Sequence, residues 1–357
     1  MFADIYRHKR VIVTGHTGFK GSWLTLWLQQ LGADVCGISL PMPQEHSHFQ
    51  LLSLPVRTEY RDLRCNAGLE ELFQEFQPQA VFHLAAQALV RTSYLKPLET
   101  YEVNVLGTAR ILEACRKTPS VQAIVAISSD KCYENREVLR PYCEDDPMGG
   151  YDPYSASKGC MELLLNSYRR SFFTPAQPAL LASARAGNVI GGGDWAEDRL
   201  VPELMQAATR GETAVLRNPG AVRPWQHVLE PLSGYLLLGQ CLFQNRREAA
   251  QAWNFGPALE DNISVADLAA KLAAAWPGLN YRSEPNPDAP HEASLLRLDC
   301  RKAAEQLQWH GVWSADQAIR KTAEWYRDFF SRRQINSLSD LHEYCEDAAR
   351  RNLPWAN

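Results

Sequence analysis

Three residues with side chains that can transfer protons follow an apolar run in the stretch IVAISSDK, residues 124–131. Ser129, Asp130 and Lys131 come directly after the buried strand that this run predicts. A carboxylate beside an amine can divide the roles of general acid and general base. A solvated turn at a strand end would show the same pattern, so the surrounding elements have to decide.

A tyrosine and a lysine at helical spacing form a second candidate pair. Tyr154 and Lys158, in YDPYSASKGC, are four residues apart, so a helix would place both on one face. A phenol with a pKa of about 10 is a poor base, but an ammonium and a cationic cofactor ring nearby would stabilise its phenolate. Tyr154 could then remove a proton from a substrate hydroxyl as a hydride leaves the carbon. Ser129 would give the reacting oxygen a second hydrogen bond.

The stretch VTGHTGFKGSW supplies the element that would hold such a cofactor. Its glycines follow the first apolar run and open an amphipathic segment, which predicts a strand, a turn and a helix. Glycines there permit a tight turn, close approach of a pyrophosphate and close packing of helix on sheet, and the helix N-terminus attracts the phosphates. The spacing is G-x-x-G-x-x-G. The predicted cofactor contacts are Gly15, His16, Thr17, Gly18, Phe19, Lys20 and Gly21.

The second predicted strand lacks the acidic residue that usually binds the adenosine ribose. It ends in Ser39 and Leu40, and no arginine stands there to meet a 2′-phosphate. The residues therefore leave NAD and NADP open, with a mild preference for NAD. Asp62 and Leu63 follow a probable third strand and are placed to flank the adenine. An exposed aspartate in a loop is as often structural.

Apolar runs alternate with amphipathic stretches through the first half of the chain. Strands are predicted at 10–15, 34–40, 80–85, 122–129 and 179–185. Near-continuously apolar strands separated by helices indicate a parallel sheet covered on both faces. We therefore predict an α/β fold with a doubly wound, Rossmann-type sheet and a smaller mixed α/β substrate-binding domain. The predicted NAD-binding domain is 1–187, with 228–257 returning to it, and the substrate-binding domain is 188–227 and 258–357.

Composition excludes several function classes. The chain has 357 residues and a formal net charge of -4, which gives no electrostatic case for a nucleic-acid partner. No apolar run approaches the roughly 18 residues that span a bilayer, so no membrane partner is expected. The nine cysteines include no C-x-x-C pair, so neither a disulfide framework nor a metal site is expected. The first strand begins almost at once, which favours a cytoplasmic location.

These motifs together resemble the extended short-chain dehydrogenase/reductase family, whose marks are G-x-x-G-x-x-G, a strand-end Ser or Thr, and Y-x-x-x-K. Within it the sequence is similar to the nucleotide-sugar 4,6-dehydratases. SSDKCYENRE, DPMGGYDPYSASKGC, RAGNVIGGGDWAEDRLVPE and RNPGAVRPWQHVLEPLSGYLLLGQ carry the likeness, which runs from about residue 10 to 310. The most discriminating part is Asp-Lys after the strand-end hydroxyl, where related dehydratases usually carry Asp-Glu.

The resemblance implies a redox-neutral reaction on CDP-glucose with NAD. Tyr154 would take the C4 hydroxyl proton while the C4 hydride goes to NAD. Water would then leave across C5 and C6, and the hydride would return to C6. Our hypothesis is that Asp130 protonates the C6 oxygen and Lys131 removes the C5 proton, although the reverse assignment stays open. Lys131 must be neutral to act as a base, and desolvation or the Lys158 cation would favour that form.

The resemblance also implies the remaining contacts. Tyr154 and Lys158 would contact the cofactor as well, and Ser129 the substrate. Asn104 would brace the sheet and the active-site loop, and a homodimer would form through helices near 97–117 and 154–173. Leu84, Ala85 and Ala86 would contact the cofactor, and the substrate would contact Gln87, Arg91, Asn188, Arg199, Val201, Arg217, Arg223, His227 and His291.

Two other interpretations are compatible with the glycine turn and the fold. Another nucleotide-sugar 4,6-dehydratase or a 4-epimerase would share the fold, but an epimerase has no need of Asp130 and Lys131. A non-catalytic NAD-binding regulatory protein would keep the glycine turn, but it has no use for Tyr154 and Lys158 together with Ser129.

Overall fold

A parallel sheet lies at the centre of the protein. A computed structural model describes residues 1–41, 47–65, 68–174, 178–284 and 295–357. Among these residues, seven strands form one parallel sheet in the order β3-β2-β1-β4-β5-β6-β11. The strands are β1 (Arg10–Thr14), β2 (Asp34–Ser39), β3 (Arg57–Tyr60), β4 (Ala80–His83), β5 (Ala123–Ile127), β6 (Leu180–Ala186), β7 (Val189–Ile190), β8 (Thr213–Leu216), β9 (Val222–Pro224), β10 (Gln226–His227), β11 (Ala252–Phe255), β12 (Asn262–Ser264) and β13 (Asn280–Ser283).

Helices cover both faces of the sheet. Alternate residues of β5 point to opposite faces, so Val125 joins the apolar core with α1 and α9, while Ile124 joins the core with α3, α6 and α7. The predicted doubly wound fold is confirmed. The helices are α1 (Phe19–Gln30), α2 (His48–Leu52), α3 (Leu69–Phe76), α4 (Val90–Leu95), α5 (Pro97–Tyr101), α6 (Thr108–Arg116), α7 (Pro153–Ser171), α8 (Leu200–Arg210), α9 (Leu229–Phe243), α10 (Val265–Ala275), α11 (Ala315–Arg332) and α12 (Ser337–Arg350), with a π-helical segment (Glu102–Gly107) between α5 and α6.

The order of the strands determines where a ligand can bind. Strand β1 has β2 on one side and β4 on the other, so the chain leaves the sheet in opposite directions at their carboxyl ends. A crevice opens at such a switch point in doubly wound sheets. The glycine turn follows β1, and the Ser129 segment follows β5 at the same edge of the sheet.

A smaller unit lies beside this edge. Pairs β8–β13 and β9–β12, with α8, α10 and α11, surround a second apolar core that contains Val201, Trp225 and Trp325. Strand β11 lies next to β6, so the chain returns to the sheet within 228–257.

The last helix departs from the predicted division. We expected 258–357 to belong to the substrate-binding unit, but Tyr344 of α12 packs edge-on against Trp27 of α1, and Trp355 stacks on Phe2 with 5.2 Å between ring centroids. Burial of these large aromatic rings draws α12 onto the NAD-binding unit. The division into two domains otherwise stays a prediction.

A buried serine–histidine–serine network connects the first helices with the last one. The Ser22 hydroxyl lies 2.7 Å from His48 Nδ1, and His48 Nε2 lies 2.7 Å from the Ser337 hydroxyl. Burial lowers the pKa of His48 to about 3, so the ring is neutral at physiological pH.

Membrane spans, metal sites and disulfides are all features that the sequence argued against. Within the described residues, every helix is too short or too polar to span a bilayer. No three histidine, cysteine or carboxylate side chains of that part of the chain converge in a way that suits a metal ion. All nine cysteines are free thiols.

Candidate active site

A cleft of about 1150 Å³ lies over the carboxyl ends of the central strands. The glycine turn after β1 and the segment 127–131 after β5 line one wall, and residues after β6 and around α8 line the other. Tyr154 and Lys158 reach the cleft from the first turns of α7. Asp152 caps that helix by accepting a hydrogen bond from the Ser155 N–H at 2.9 Å, so the N-cap of the helix lies two residues before Tyr154.

The glycine turn has the shape that a dinucleotide requires. Gly15 has a φ of 71°, and a Cβ there would lie 2.8 Å from the Ala85 nitrogen. A Cβ on Gly21 would overlap the Gly15 carbonyl. Gly18 is the N-cap of α1, so the free N–H groups of that helix face the cleft. The turn therefore fits a pyrophosphate, and Thr17, Phe19 and Lys20 line the cleft with the three glycines.

His16 is the exception in this turn. Its ring is buried against Gly37, with Nε2 3.1 Å from the Thr58 hydroxyl, and it does not line the cleft. Burial lowers its pKa to about 4. The side chain therefore does not reach the cleft, because the ring fills the gap that Gly37 leaves on β2, and the predicted contact with the cofactor would fall to the backbone of His16.

The adenosine end of the cleft contains the predicted residues. Ser39, Leu40, Asp62 and Leu63 line it, and Leu84, Ala85 and Ala86 line the neighbouring wall after β4. The Asp62 carboxylate accepts hydrogen bonds from Arg64, with a shortest distance of 2.6 Å, and this pairing lowers its pKa. Asp62 is thus held as an anion at the rim.

The reactive centre is built around Ser129. Its hydroxyl donates to Asp130 Oδ1 at 2.9 Å and accepts from the Lys131 N–H at 3.2 Å. This arrangement closes a tight turn (Asp130–Cys132) at the strand end and leaves both ionisable side chains on the cleft wall. Lys131 is half-buried, whereas Asp130 is buried.

Burial controls the protonation of Asp130 and Tyr154. It raises the pKa of Asp130, against the opposing effects of Lys131, Ser129 and Lys20, so this carboxyl holds a proton more readily than an exposed one. Burial also raises the pKa of Tyr154 to about 12, with the Ser129 hydroxyl acting in the opposite direction. A phenolate at Tyr154 therefore needs further positive charge beside it.

Two lysines line the cleft near this centre, Lys158 buried and Lys20 half-buried. Lys158 Nζ donates to the Ile127 carbonyl at 3.4 Å, and burial lowers its pKa to about 8. Lys20 Nζ lies 3.5 Å from the Tyr235 hydroxyl, and burial, with Arg199 adding to the effect, lowers its pKa to about 8. We predicted Lys20 as a cofactor contact, and its electrostatic effect on Asp130 was not anticipated.

Most of the predicted substrate contacts line the cleft, Arg91 from α4 and the others from the segments after β6. Asn188, Arg199, Val201, Arg217, Arg223 and Arg91 all line the cleft. Sequence reasoning missed the carboxylates among them. Asp194 accepts from Arg199 at 3.0 Å, Asp198 from Arg91 at 3.0 Å, and Glu203 from Arg217 at 2.8 Å. The acidic stretch GGGDWAEDR, next to the predicted arginines, was the available signal.

Two of the predicted substrate contacts in the described residues are not on the cleft wall. Gln87 uses its amide to bind the Leu89 carbonyl and the Thr100 hydroxyl, so it braces the loop after β4. His227 is buried in the interior, where its ring packs edge-on against Trp23 and Trp313. Direct substrate contact by either side chain is therefore wrong. His291 lies outside the described residues.

Asn104 has the bracing role that the resemblance implied. Its side chain accepts from the Gln87 N–H at 2.8 Å and donates to the Ser157 hydroxyl at 2.9 Å. It therefore connects the loop after β4 with α7, the helix that carries Tyr154 and Lys158.

Comparison with known proteins identifies the family. The family model described as GDP-mannose 4,6 dehydratase matches residues 12–322. The chain belongs to this family. It is 46% identical over 330 residues to the CDP-glucose 4,6-dehydratase of Salmonella typhimurium, covering 91% of this chain and 92% of the relative. This identity and the match to the family model confirm the resemblance found in the motifs.

Epimerases share the fold. The chain is 27% identical over 332 residues to the UDP-glucose 4-epimerase of Mycolicibacterium smegmatis, covering 89% of this chain and 99% of the relative. The crystal structure of the UDP-glucose 4-epimerase of Thermus thermophilus in complex with NAD superposes with a TM-score of 0.75 at 28% identity, covering 89% of this chain and 99% of the other. The fold is thus common to dehydratases and epimerases, and the residues of the cleft must distinguish them.

Proposed function

We propose that this protein is an NAD-dependent lyase that converts CDP-D-glucose to CDP-4-dehydro-6-deoxy-D-glucose. The observation that carries the proposal is the meeting of Ser129, Asp130, Lys131, Tyr154 and Lys158 in one cleft beside the glycine turn. The 46% identity to a CDP-glucose 4,6-dehydratase supports the choice of nucleotide.

The chain offers groups to hold the pyrophosphate, the adenine and the nicotinamide of NAD. The turn at Gly15 to Gly21 would bind the pyrophosphate, and Asp62 and Leu63 would flank the adenine. Leu84, Ala85 and Ala86 would line the nicotinamide side with Tyr154 and Lys158. When bound, NAD supplies a hydride acceptor for the sugar C4–H and a hydride donor for C6.

Tyr154 begins the reaction by taking the proton of the C4 hydroxyl. Its burial disfavours the phenolate, so the ammonium of Lys158 on the same helix face has to stabilise it. With substrate bound, Ser129 would turn its one hydroxyl proton from Asp130 Oδ1 to the same sugar oxygen and so hold that oxygen beside the phenol. The product of this step is a 4-keto sugar, whose ketone acidifies the C5 proton.

Asp130 and Lys131 then divide the elimination between them. Lys131, half-buried on the cleft wall, removes the C5 proton. Asp130 donates its proton to the C6 oxygen, which leaves as water while the C5–C6 double bond forms. The raised pKa of Asp130 supports this order, since an acid has to hold a proton before it can give one. Lys131 returns a proton to C5 when C6 is reduced.

Incubation with four nucleotide sugars tests the proposal. The purified protein with added NAD is given CDP-, dTDP-, UDP- or GDP-glucose, and the alkaline absorbance of a 4-keto-6-deoxy product is followed. We expect CDP-glucose to give the product and Tyr154→Phe to abolish it. Inversion at C4 without loss of water would contradict the proposal and favour an epimerase.

We further propose that the protein is a homodimer. Helices α4, α5 and α7 and the π-helical segment pack together and expose large apolar side chains. Leu95 is 83% exposed, Leu98 70%, Leu163 61% and Leu106 50%. A second copy of this face would cover them.

We also propose a cytoplasmic location, because nine free thiols suit a reducing compartment.

A further inference from the structure

An ion pair on the cleft wall has the chemistry to read a nucleotide base. Arg217 donates to Glu203 at 2.8 Å, and both side chains line the cleft. Glu203 lies in the first turn of α8, and Arg217 directly follows β8, so two rigid elements hold the pair. About a third of each side chain is exposed, at 32% for Glu203 and 38% for Arg217. Both therefore have polar atoms left for a ligand.

Apolar side chains surround this pair. Val201 and Pro202 precede Glu203 on α8, and Val215 precedes Arg217 on β8, and all three line the cleft. Val265 and Ala221 complete that wall, since the Val265 N–H donates to the Ala221 carbonyl at 3.0 Å. A flat heteroaromatic ring needs such apolar surfaces for its faces and polar groups for its edge.

The charges argue against a phosphate at Arg217. Asp198 lies 3.5 Å from its guanidinium and Glu203 2.8 Å, so two carboxylates flank a single cation. A diphosphate placed there would meet net negative charge. An uncharged ring edge that offers both acceptors and a donor suits the pair better.

We propose that Arg217 and Glu203 select cytosine, an inference that rests on the proposed function. Arg217 donates to the O2 and N3 acceptors of the ring, and Glu203 accepts from the exocyclic N4 amine. Uracil and thymine carry a donor at N3 and an oxygen at C4. In these bases the Arg217 N–H groups would meet the N3–H donor, and the Glu203 carboxylate would meet the carbonyl oxygen at C4. Both contacts would therefore be repulsive.

Exchange of one atom in Glu203 tests this arrangement. In Glu203→Gln the amide can turn its N–H toward O4 of uracil, so the penalty against UDP falls. We expect the CDP over UDP preference to drop about tenfold or more, both in the dissociation constants of CDP and UDP and in kcat/KM for their glucose conjugates. The matched control is Glu212→Gln, which makes the same exchange on an exposed residue beyond the end of α8 and should keep the wild-type ratio.

Three results would overturn the inference. They are an equal loss of CDP and UDP affinity in Glu203→Gln, an unchanged ratio, and wild-type binding of GDP as tight as that of CDP. Arg217→Lys gives a second measurement. This change keeps the positive charge but loses the forked donor, so it should weaken the binding of CDP more than the binding of UDP. The dissociation constants are measured without turnover, so they test the inference separately from the proposed function. A wild-type protein that binds CDP more tightly than UDP but forms no keto sugar would contradict the proposed function and would still support the inference.

Discussion

Asp130 is held in a way that leaves one of its oxygens for the substrate. Oδ1 accepts from Ser129, and Oδ2 is buried with no hydrogen-bond partner among the described residues. A Cβ added to Gly187 would lie 3.1 Å from that oxygen. Glycine at 187 therefore keeps open the space in front of Oδ2, into which an acid has to deliver its proton.

Replacement of Lys131 tests its role as the C5 base. Lys131→Met should still oxidise C4 but should exchange the C5 proton with deuterium at least about a hundredfold more slowly, because proton transfer by a positioned base contributes about that factor or more. Mass spectrometry of the sugar recovered from deuterium oxide measures the exchange. Exchange at the wild-type rate would show that another group is the base.

Replacement of Asp130 separates oxidation from loss of water. Asp130→Asn keeps the shape of the side chain but has no acidic proton, so NADH should accumulate while water loss stalls. The near-ultraviolet absorbance of NADH in a single turnover reports this. Asp145→Asn, on an exposed loop residue before α7, is the control and should turn over normally. Unchanged turnover in the Asp130 variant would remove that residue from the mechanism.

At the scale of elements, the loop between β7 and α8 depends on helices far along the chain. Trp23 donates from its indole to the Gly192 carbonyl at 3.0 Å, and the Tyr326 hydroxyl donates to the Asp194 carbonyl. Asp194 in turn holds Arg199, which lines the cleft. The sheet-side helix α1 and the helix α11 thus fix one position on the substrate wall together.

The buried His48, which contacts Ser22 of α1 and Ser337 of α12, should make the free energy of unfolding depend on pH. In the unfolded chain His48 gains a proton below a pH of about 6.5, whereas the folded state resists protonation because burial lowers the pKa of His48 to about 3. The unfolded state then binds more protons, so stability falls as the pH drops through this window. The cost is about 1.4 kcal/mol per pH unit for this group.

Removal of the titrating ring should flatten that dependence. His48→Gln should lose about 1–3 kcal/mol of unfolding free energy at neutral pH, because its partner hydroxyls lose hydrogen bonds. Its stability should then fall less steeply with acid than that of the wild type, as measured by urea unfolding at several pH values. His342→Gln, on the exposed face of α12, should not show the same flattening. Parallel curves for His48→Gln and wild type would contradict the prediction.

The sequence predicts an element better than the direction of a side chain. The strands and the glycine turn were predictable because apolar periodicity and glycine spacing are local signals. The positions of His16 and His227 were not, because both rings are drawn into the interior by partners distant in sequence, Thr58 and Trp313. Glu203 was missed for the same reason, since its significance depends on Arg217, which reaches it from another element.

At the scale of the whole molecule, the exposed apolar face on α4, α5 and α7 predicts the oligomeric state. The paired change Leu98→Glu and Leu163→Glu places charge on that face and should convert a dimer to a monomer. Sedimentation velocity measures the result. Leu259→Glu, at a leucine 57% exposed outside these helices, is the control and should leave the dimer intact. A monomeric wild type, or a dimer that survives the paired change, would contradict the proposal.

The contact between His48 and Ser337 has a consequence for biosynthesis. The two residues are 289 positions apart, so the histidine cannot find its partner until nearly the whole chain has been translated. At roughly 5–20 residues per second, this interval is on the order of half a minute. Throughout it Trp27 lacks the ring of Tyr344 that packs against it in the finished protein. The nascent polypeptide should therefore expose this aromatic surface of α1 until synthesis is nearly complete, and we expect ribosome-associated chaperones to bind it during that time.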